Sequence, residues 1–118
     1  MVVLTVSRYH GCNYCVAAHS LISDMMKIPA EVTDAIRNDE TIADERLQAL
    51  RVLTEQLLEH QGWLKPAQMA AFLSKGYSKQ QLMEVLVGVA MKTLSNYTNH
   101  LAETELDEPF LGRAWSPS

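Results

Sequence analysis

The chain has 118 residues, of which 47% are apolar and 20% charged, with a formal net charge of −4 at pH 7. This length fits one domain, and the composition is that of a globular protein, which excludes a disordered chain. The acidic balance, with no Lys/Arg cluster interleaved with aromatic residues, excludes nucleic acid as a partner. The apolar run 2–6 is too short to span a bilayer and lacks signal-peptide features, so we expect a cytoplasmic protein with no membrane partner.

Helices account for the periodic part of the chain, and no segment clearly favours a strand. The run 2–6 is β-branched, but it is equally typical of the last turns of a buried helix. Thr41 is the predicted N-cap of one helix, with Asp44 in its first turn. In chain order the predicted helices run from Cys12 to about Met26, Pro29 to about Arg37, Thr41 to Gly62, Pro66 to Gly76, and from Ser78 onwards.

The last predicted helix has the clearest start signal. Ser78 and Gln81 form a capping box, and the segment from Ser78 to Asn96 is apolar nearly all round. This pattern predicts the most buried helix of the fold. Gly88 within it costs about 1 kcal/mol against alanine, which a close contact with another helix would explain. With an irregular tail over 107–118, the sequence predicts an all-α domain, 1–118, of five or six helices.

Two cysteines and a histidine carry the chemical signal. Cys12, Cys15 and His19 are three and four residues apart, so on a helix all three lie on one face. A helix N-terminus and a nearby imidazole both favour the reactive thiolate, and a second thiol within reach can close a disulfide. In a reducing compartment such a pair is typical of redox chemistry rather than of a structural bridge.

Other interpretations of the three residues stay open. Both cysteines can be buried small hydrophobes. Cys12, Cys15 and His19 can also hold zinc, with His10 or water as the fourth ligand, although structural zinc sites usually take a second ligand pair from a separate segment. Val16 directly after Cys15 excludes c-type haem attachment. The polar cluster Asn96–Asn99 before His100 either ends the last helix or lines the site.

The stretch from Val6 to His19, Val-Ser-x-x-x-Gly-Cys-x-Tyr-Cys-x-x-x-His, resembles the alkylhydroperoxidase D-like (AhpD-like) group of the carboxymuconolactone decarboxylase family. The segment from Leu82 to His100 resembles the buried helix of that group. The resemblance implies an all-α fold, a homo-oligomer such as a hexamer built from dimers, and reduction of hydroperoxides by a dithiol without a metal or other cofactor.

Carried over by position, the resemblance gives each residue a role. Cys15 is the peroxidatic thiol, Cys12 the resolving thiol, and His19 the base that ionises Cys15. A lipoyl-bearing or thioredoxin-like dithiol protein re-reduces the oxidised pair. Two other functions remain as alternatives: a helical module that binds zinc or senses oxidation, and a decarboxylase-like enzyme of the same fold.

The sequence departs from the family pattern before the motif. The helices that usually precede it are missing, and so is the proton-relay Glu expected about three helical turns before Cys12. We therefore expect either a start upstream of Met1 or a shortened member of the group. In a shortened member, the relay is either incomplete or uses another acid, for which Glu84 and Glu103 are the candidates.

Overall fold

The computed structural model describes residues 1–117 and confirms the all-α prediction. Ser118, the last residue of the predicted domain, lies outside the described residues. Within 1–117 there is no strand, and no helix has both the length and the apolar character needed to cross a membrane. The elements are α1 (Val2–Tyr9), α2 (Asn13–Met25), α3 (Ala30–Asn38), α4 (Glu45–Glu59), α5 (Pro66–Leu73), α6 (Lys79–Ala102) and a 3-10 helix (Glu108–Arg113).

Helix α1 is the centre of the fold. Its ambiguous apolar run is helical, and four consecutive residues, Leu4 to Ser7, are buried, so that every side of the helix is covered. It contacts α2, α3, α4 and α6. The hydroxyls of Thr5 and Ser7 donate to the carbonyls of Met1 and Val3 at 3.1 and 2.7 Å, which satisfies these polar groups inside the core.

Two apolar clusters form the core, and residues of α1 contribute to both. The first joins α1 to α2 and α3, and the second joins α4, α5 and α6 with Val2 against it. The buried members of the first are Leu4, Val16, Val32, Ala35, Ile36 and Ile42. Those of the second are Leu53, Leu57, Phe72 and Val85.

Helix α6 is not the most buried helix, and that prediction is wrong. Only Val85 and Asn96 are buried among its 24 residues. An apolar pattern around a helix indicates that several faces need cover, but it does not distinguish cover by the same chain from cover by another surface. The large apolar side chains that α6 leaves exposed are Met83, Leu86, Val87, Met91, Leu94, Tyr97 and Leu101.

Two local predictions for α6 are confirmed. The Ser78 hydroxyl accepts the Gln81 N–H at 3.1 Å, and the Gln81 side chain accepts the Ser78 N–H at 2.8 Å, which completes the capping box. Gly88 packs closely on α1, since a β-carbon at this position would lie 3.2 Å from a methyl of Val2. The glycine therefore permits the close approach of α1 and α6.

The start of α4 differs from the prediction. Asp44, not Thr41, is the N-cap, and its carboxylate accepts the N–H groups of Arg46 and Leu47, both at 3.0 Å. Between these two polar residues Ile42 is buried in the first cluster. The chain therefore stays non-helical past Thr41, and Ile42 fills the core.

The tail is more ordered than the irregular segment predicted for 107–118. Its 3-10 helix packs on α2. The Arg37 guanidinium donates to the carbonyls of Arg113 and Ala114 at 2.9 and 3.1 Å, and the Trp115 indole N–H donates to the Arg37 carbonyl at 3.0 Å. These bonds hold residues 113–115 against the end of α3.

Candidate functional site

The dithiol lies at the junction between α1 and α2. Gly11 has a φ of +66°, a left-handed conformation that glycine adopts without strain. The chain reverses there, and the Cys12 N–H donates to the Ser7 carbonyl at 3.0 Å. Cys12 thereby becomes the N-cap of α2, and Cys15 lies in the first turn, where the helix dipole favours a negative sulfur.

Both cysteines are free thiols and each is only 1% exposed. Burial, and after it the neighbouring Cys15 thiol, raises the pKa of the Cys12 thiol to about 11, against weaker opposite effects of the Cys15 backbone and Lys92. Cys12 is therefore a protonated thiol at neutral pH. The structure confirms that the two predicted cysteines lie together.

Asn99, from the polar cluster Asn96–Asn99, lines the site, although the sequence predicted no contact of it with the cysteines. Its side-chain amide donates to the Cys15 sulfur at 3.2 Å and to the Ser95 carbonyl at 3.0 Å. Because a carbonyl can only accept, the contact with Ser95 fixes which side of the amide carries the N–H groups. The Thr104 hydroxyl donates to the other side, Asn99 Oδ1, at 2.8 Å. Thr104 and Ser95 thus hold the donor of Asn99 toward Cys15.

His19 follows Cys15 by one helical turn and is half-buried. Burial, with the positive charges of Lys92 and the Met1 amino group, lowers its pKa to about 4. The imidazole is therefore neutral at physiological pH and is a weak base. Within residues 1–117 its side chain makes no hydrogen bond to either sulfur, so the structure does not join His19 to Cys12 or Cys15.

A cleft of about 210 Å³ opens next to the dithiol. Cys12 is part of its wall, and Cys15 is not. Of the two acids considered for the proton relay, Glu103 lines this cleft, whereas Glu84 lines a separate cavity. The residues around the cleft are Gly11, Cys12, Asn13, Tyr14, Asn99, His100, Glu103 and Thr104.

His10, the histidine considered as a fourth zinc ligand, makes contacts with α6. His10 Nε2 lies 3.2 Å from the Thr93 hydroxyl, and its ring packs edge-on against Tyr97 with centroids 5.0 Å apart. Across the described part of the chain, no three His, Cys, Asp or Glu side chains are placed to hold a metal ion together. The zinc alternative therefore has no geometric support at Cys12, Cys15 and His19.

The arrangement can support sulfur redox chemistry. The Cys12 thiol stays protonated, and Cys12 lines the cleft. The Cys15 sulfur accepts a hydrogen bond from the Asn99 amide. No protein-family model matches the chain, and a search of curated proteins finds no significantly similar relative.

Proposed function

We propose that this protein is a cofactor-independent dithiol peroxidase that reduces hydroperoxides through a Cys12–Cys15 disulfide. The observation that carries the proposal is the pair of neighbouring free thiols in which the Cys15 sulfur accepts the Asn99 amide N–H at 3.2 Å. Hydrogen-bond donors stabilise a thiolate more than a thiol, because the charged acceptor bonds more strongly. The resemblance of the Val6–His19 motif to the AhpD-like group agrees with this chemistry.

The reaction proceeds in two steps within the protein. The Cys15 thiolate attacks the terminal oxygen of the hydroperoxide, the O–O bond breaks, and the leaving alkoxide takes a proton to become an alcohol. Cys15 is then a sulfenic acid. The Cys12 sulfur attacks Cys15, the S–O bond breaks, and water leaves with the Cys12 proton, which gives the disulfide.

Cys15 is the better nucleophile of the two. The Cys12 thiol, with its pKa raised to about 11, has very little thiolate at neutral pH. Cys15 has the Asn99 donor and a position in the first turn of α2. These features support the roles implied by the family resemblance, Cys15 as peroxidatic thiol and Cys12 as resolving thiol.

Proton transfer requires two further groups. His19 stays neutral above about pH 4 and can accept the Cys15 proton, although as a weak base it contributes less than an imidazole of ordinary pKa. Glu103 is the acid that lines the cleft, and we assign to it the relay role that the resemblance gives to a Glu.

The pair returns to its thiol form by reaction with a dithiol donor, for which a lipoyl-bearing or thioredoxin-like protein is the expected class. A reducing compartment supplies such donors, so we place the protein in the cytoplasm. Each turnover then consumes one hydroperoxide and one donor dithiol, and yields one alcohol, one water and one donor disulfide.

A homo-oligomer completes the proposal. The exposed apolar residues of α6 recur at three- and four-residue spacing along one helix of 24 residues, the pattern of a face that packs on another helix. Monomers rarely expose contiguous apolar patches beyond about 300–600 Å². A second copy of the chain is the partner we propose for this face, with the hexamer as the assembly that the resemblance implies. The residues of the face are Met83, Leu86, Val87, Met91, Leu94, Tyr97 and Leu101.

The test is consumption of hydroperoxides by the purified protein with a small dithiol as the final reductant. We expect catalytic consumption of an organic hydroperoxide by the wild type and none above background by a Cys12→Ser/Cys15→Ser double variant. Metal analysis of the same preparation should find no stoichiometric zinc. A wild type that is no faster than the double variant with any hydroperoxide would rule out the peroxidase.

A further inference from the structure

Of the two cysteines, only one lines the cleft. Cys12 is part of the cleft wall together with Gly11, whereas Cys15 is not among the lining residues. Asn99, which does line the cleft, donates its amide N–H to the Cys15 sulfur from that side. A molecule that enters the cleft therefore lies against Cys12, whereas Cys15 lies behind Asn99.

Reduction of a disulfide distinguishes its two sulfurs. An incoming thiolate bonds to one sulfur, and the other departs as a thiolate. Access determines which sulfur is attacked, and stabilisation of the departing charge determines which leaves more readily. Here the cysteine that lines the cleft and the cysteine whose sulfur accepts the Asn99 hydrogen bond are different residues.

We propose that the cleft beside Cys12 is the entry site for the reducing thiol, which attacks the Cys12 sulfur and expels Cys15 toward the Asn99 amide. This rests on the proposed function in that it assumes a Cys12–Cys15 disulfide. A donor thiolate and the disulfide give a donor–Cys12 mixed disulfide and a Cys15 thiolate. A second donor thiol then attacks the donor sulfur of the mixed disulfide, the bond to Cys12 breaks, and a donor disulfide leaves. The two protons that the donor thiols give up, one of them through the solvent, restore the thiols of Cys12 and Cys15.

The volume of the cleft indicates the shape of the donor. About 210 Å³ is smaller than the roughly 300–1,000 Å³ of a typical small-molecule site. It has room for the end of a narrow arm that carries a thiol. We therefore expect the reductant to present its thiol on such an arm.

Thr104 is a positioning residue in this step. Its hydroxyl bond to Asn99 Oδ1, at 2.8 Å, and the Ser95 carbonyl on the other side keep the Asn99 donor on Cys15. Without the hydroxyl, the Asn99 amide loses one of its two orienting contacts. Loss of one such bond is worth about 1 kcal/mol, which corresponds to a roughly fivefold slower departure of Cys15.

The first experiment locates the mixed disulfide. Full-length protein is oxidised to the disulfide with diamide, mixed with 2-mercaptoethanol, quenched in acid within the first turnover, and the adduct is placed by tandem mass spectrometry. We expect the adduct on Cys12 in large excess. An adduct mainly on Cys15, or one divided evenly between the two cysteines, would overturn the proposal.

The second experiment measures the same reduction in variants. Thr104→Val should slow it roughly fivefold and Thr104→Ser should restore it, because the serine hydroxyl can make the same bond. The control is Thr98→Val, whose hydroxyl bonds only the Leu94 carbonyl on exposed α6. Thr104→Val should also move part of the adduct to Cys15, which a general loss of stability would not do. Equal rates in Thr104→Val and Thr98→Val would contradict the role of Thr104.

These measurements do not use a hydroperoxide, so they distinguish failure of the proposed peroxidase from failure of the proposed entry site. Rapid reduction through Cys12 in a protein that consumes no hydroperoxide would reject the peroxidase and keep the entry site. Rapid peroxide consumption with the adduct on Cys15 would keep the peroxidase and reject the entry site.

Discussion

The side-chain amide of Asn99 donates a hydrogen bond to the sulfur of Cys15, 84 positions earlier in the chain, at 3.2 Å. The bond joins the last turns of α6 to the first turn of α2. The dithiol is local in sequence, but its electrostatic environment is complete only when α6 has docked. We therefore expect any change that loosens the end of α6 to alter thiol reactivity before it unfolds the protein.

Substitution of each cysteine should give distinct products with hydroperoxide. Cys15→Ser should abolish turnover, because the nucleophile is gone and the remaining Cys12 thiol is held protonated by its raised pKa. Cys12→Ser should react once and stop as a sulfenic acid, since no resolving thiol is present. Trapping with a dimedone-type reagent, followed by mass spectrometry, distinguishes the two variants. If Cys12→Ser is the variant that forms no sulfenic acid, the two roles are reversed.

Acid should destabilise the protein through His19. Its folded pKa of about 4 lies below the ordinary value of 6.5, so between these limits the unfolded chain binds a proton that the folded protein does not. The contribution of neutral His19 to the free energy of unfolding is fully present above about pH 6.5 and is lost as the pH falls toward 4. We expect a loss on the order of 2 kcal/mol by pH 4.5, allowing for partial exposure.

Urea unfolding at pH 7 and pH 4.5 measures this effect. His19→Gln should reduce the difference between the two unfolding free energies, whereas His60→Gln, at the exposed end of α4, should leave it unchanged. The same pKa predicts that peroxide reactivity has no His19 titration between pH 5 and 9. An inflection in the wild-type rate near pH 6.5 that His19→Gln removes would contradict this prediction.

Replacement of Gly11 should affect both the fold and the dithiol. Gly11→Ala forces a β-carbon into a left-handed φ of +66°, which costs about 1 kcal/mol of unfolding free energy. The control is Gly112→Ala, because a β-carbon there meets nothing within 4 Å and the position has no positive φ. Urea midpoints for the two variants should differ accordingly. Equal midpoints would show that the turn before Cys12 has no conformational requirement for glycine.

The exposed face of α6 predicts a change of assembly on substitution. Leu94→Glu places a charge in the middle of this face, where Leu94 is 71% exposed in the single chain. We expect multi-angle light scattering to report an oligomer for the wild type and a monomer for Leu94→Glu at micromolar concentration. Trp63→Glu, at a position that is 85% exposed and outside α6, should keep the wild-type mass. A monomeric wild type would refute the assembly.

Local features of the chain were predictable, because their signals lie within a few residues of one another. The capping box at Ser78, the packing reason for Gly88 and the adjacency of Cys12 and Cys15 all follow from short spacings. The bounds predicted for α2, α3 and α5 and for the start of α6 agree with the structure to within a few residues, whereas burial of Ile42 displaced the N-cap of α4 to Asp44. No bounds were predicted for α1 or for the end of α6.

Long-range features were not predictable. The contact of Asn99 with Cys15 and the hold of Arg37 on the tail join residues far apart, and neither has a periodic signal. The exposure of α6 was missed for a different reason: its pattern correctly indicates several apolar faces, yet the single chain covers only part of them. The topology of the fold determines which helix surfaces pack together, and topology cannot be derived from hydrophobic periodicity alone.

The four consecutive buried residues of α1, Leu4 to Ser7, have a consequence for the dynamics of the protein. Their helix packs against partners as distant in sequence as α6, so no small part of the chain can open and expose them. The backbone amides of Thr5, Val6 and Ser7, which are bonded within α1, should exchange with deuterium only through global unfolding and so set the slowest exchange rate in the molecule. The amides of Thr104 and its neighbours, at the exposed end of α6, should exchange far sooner.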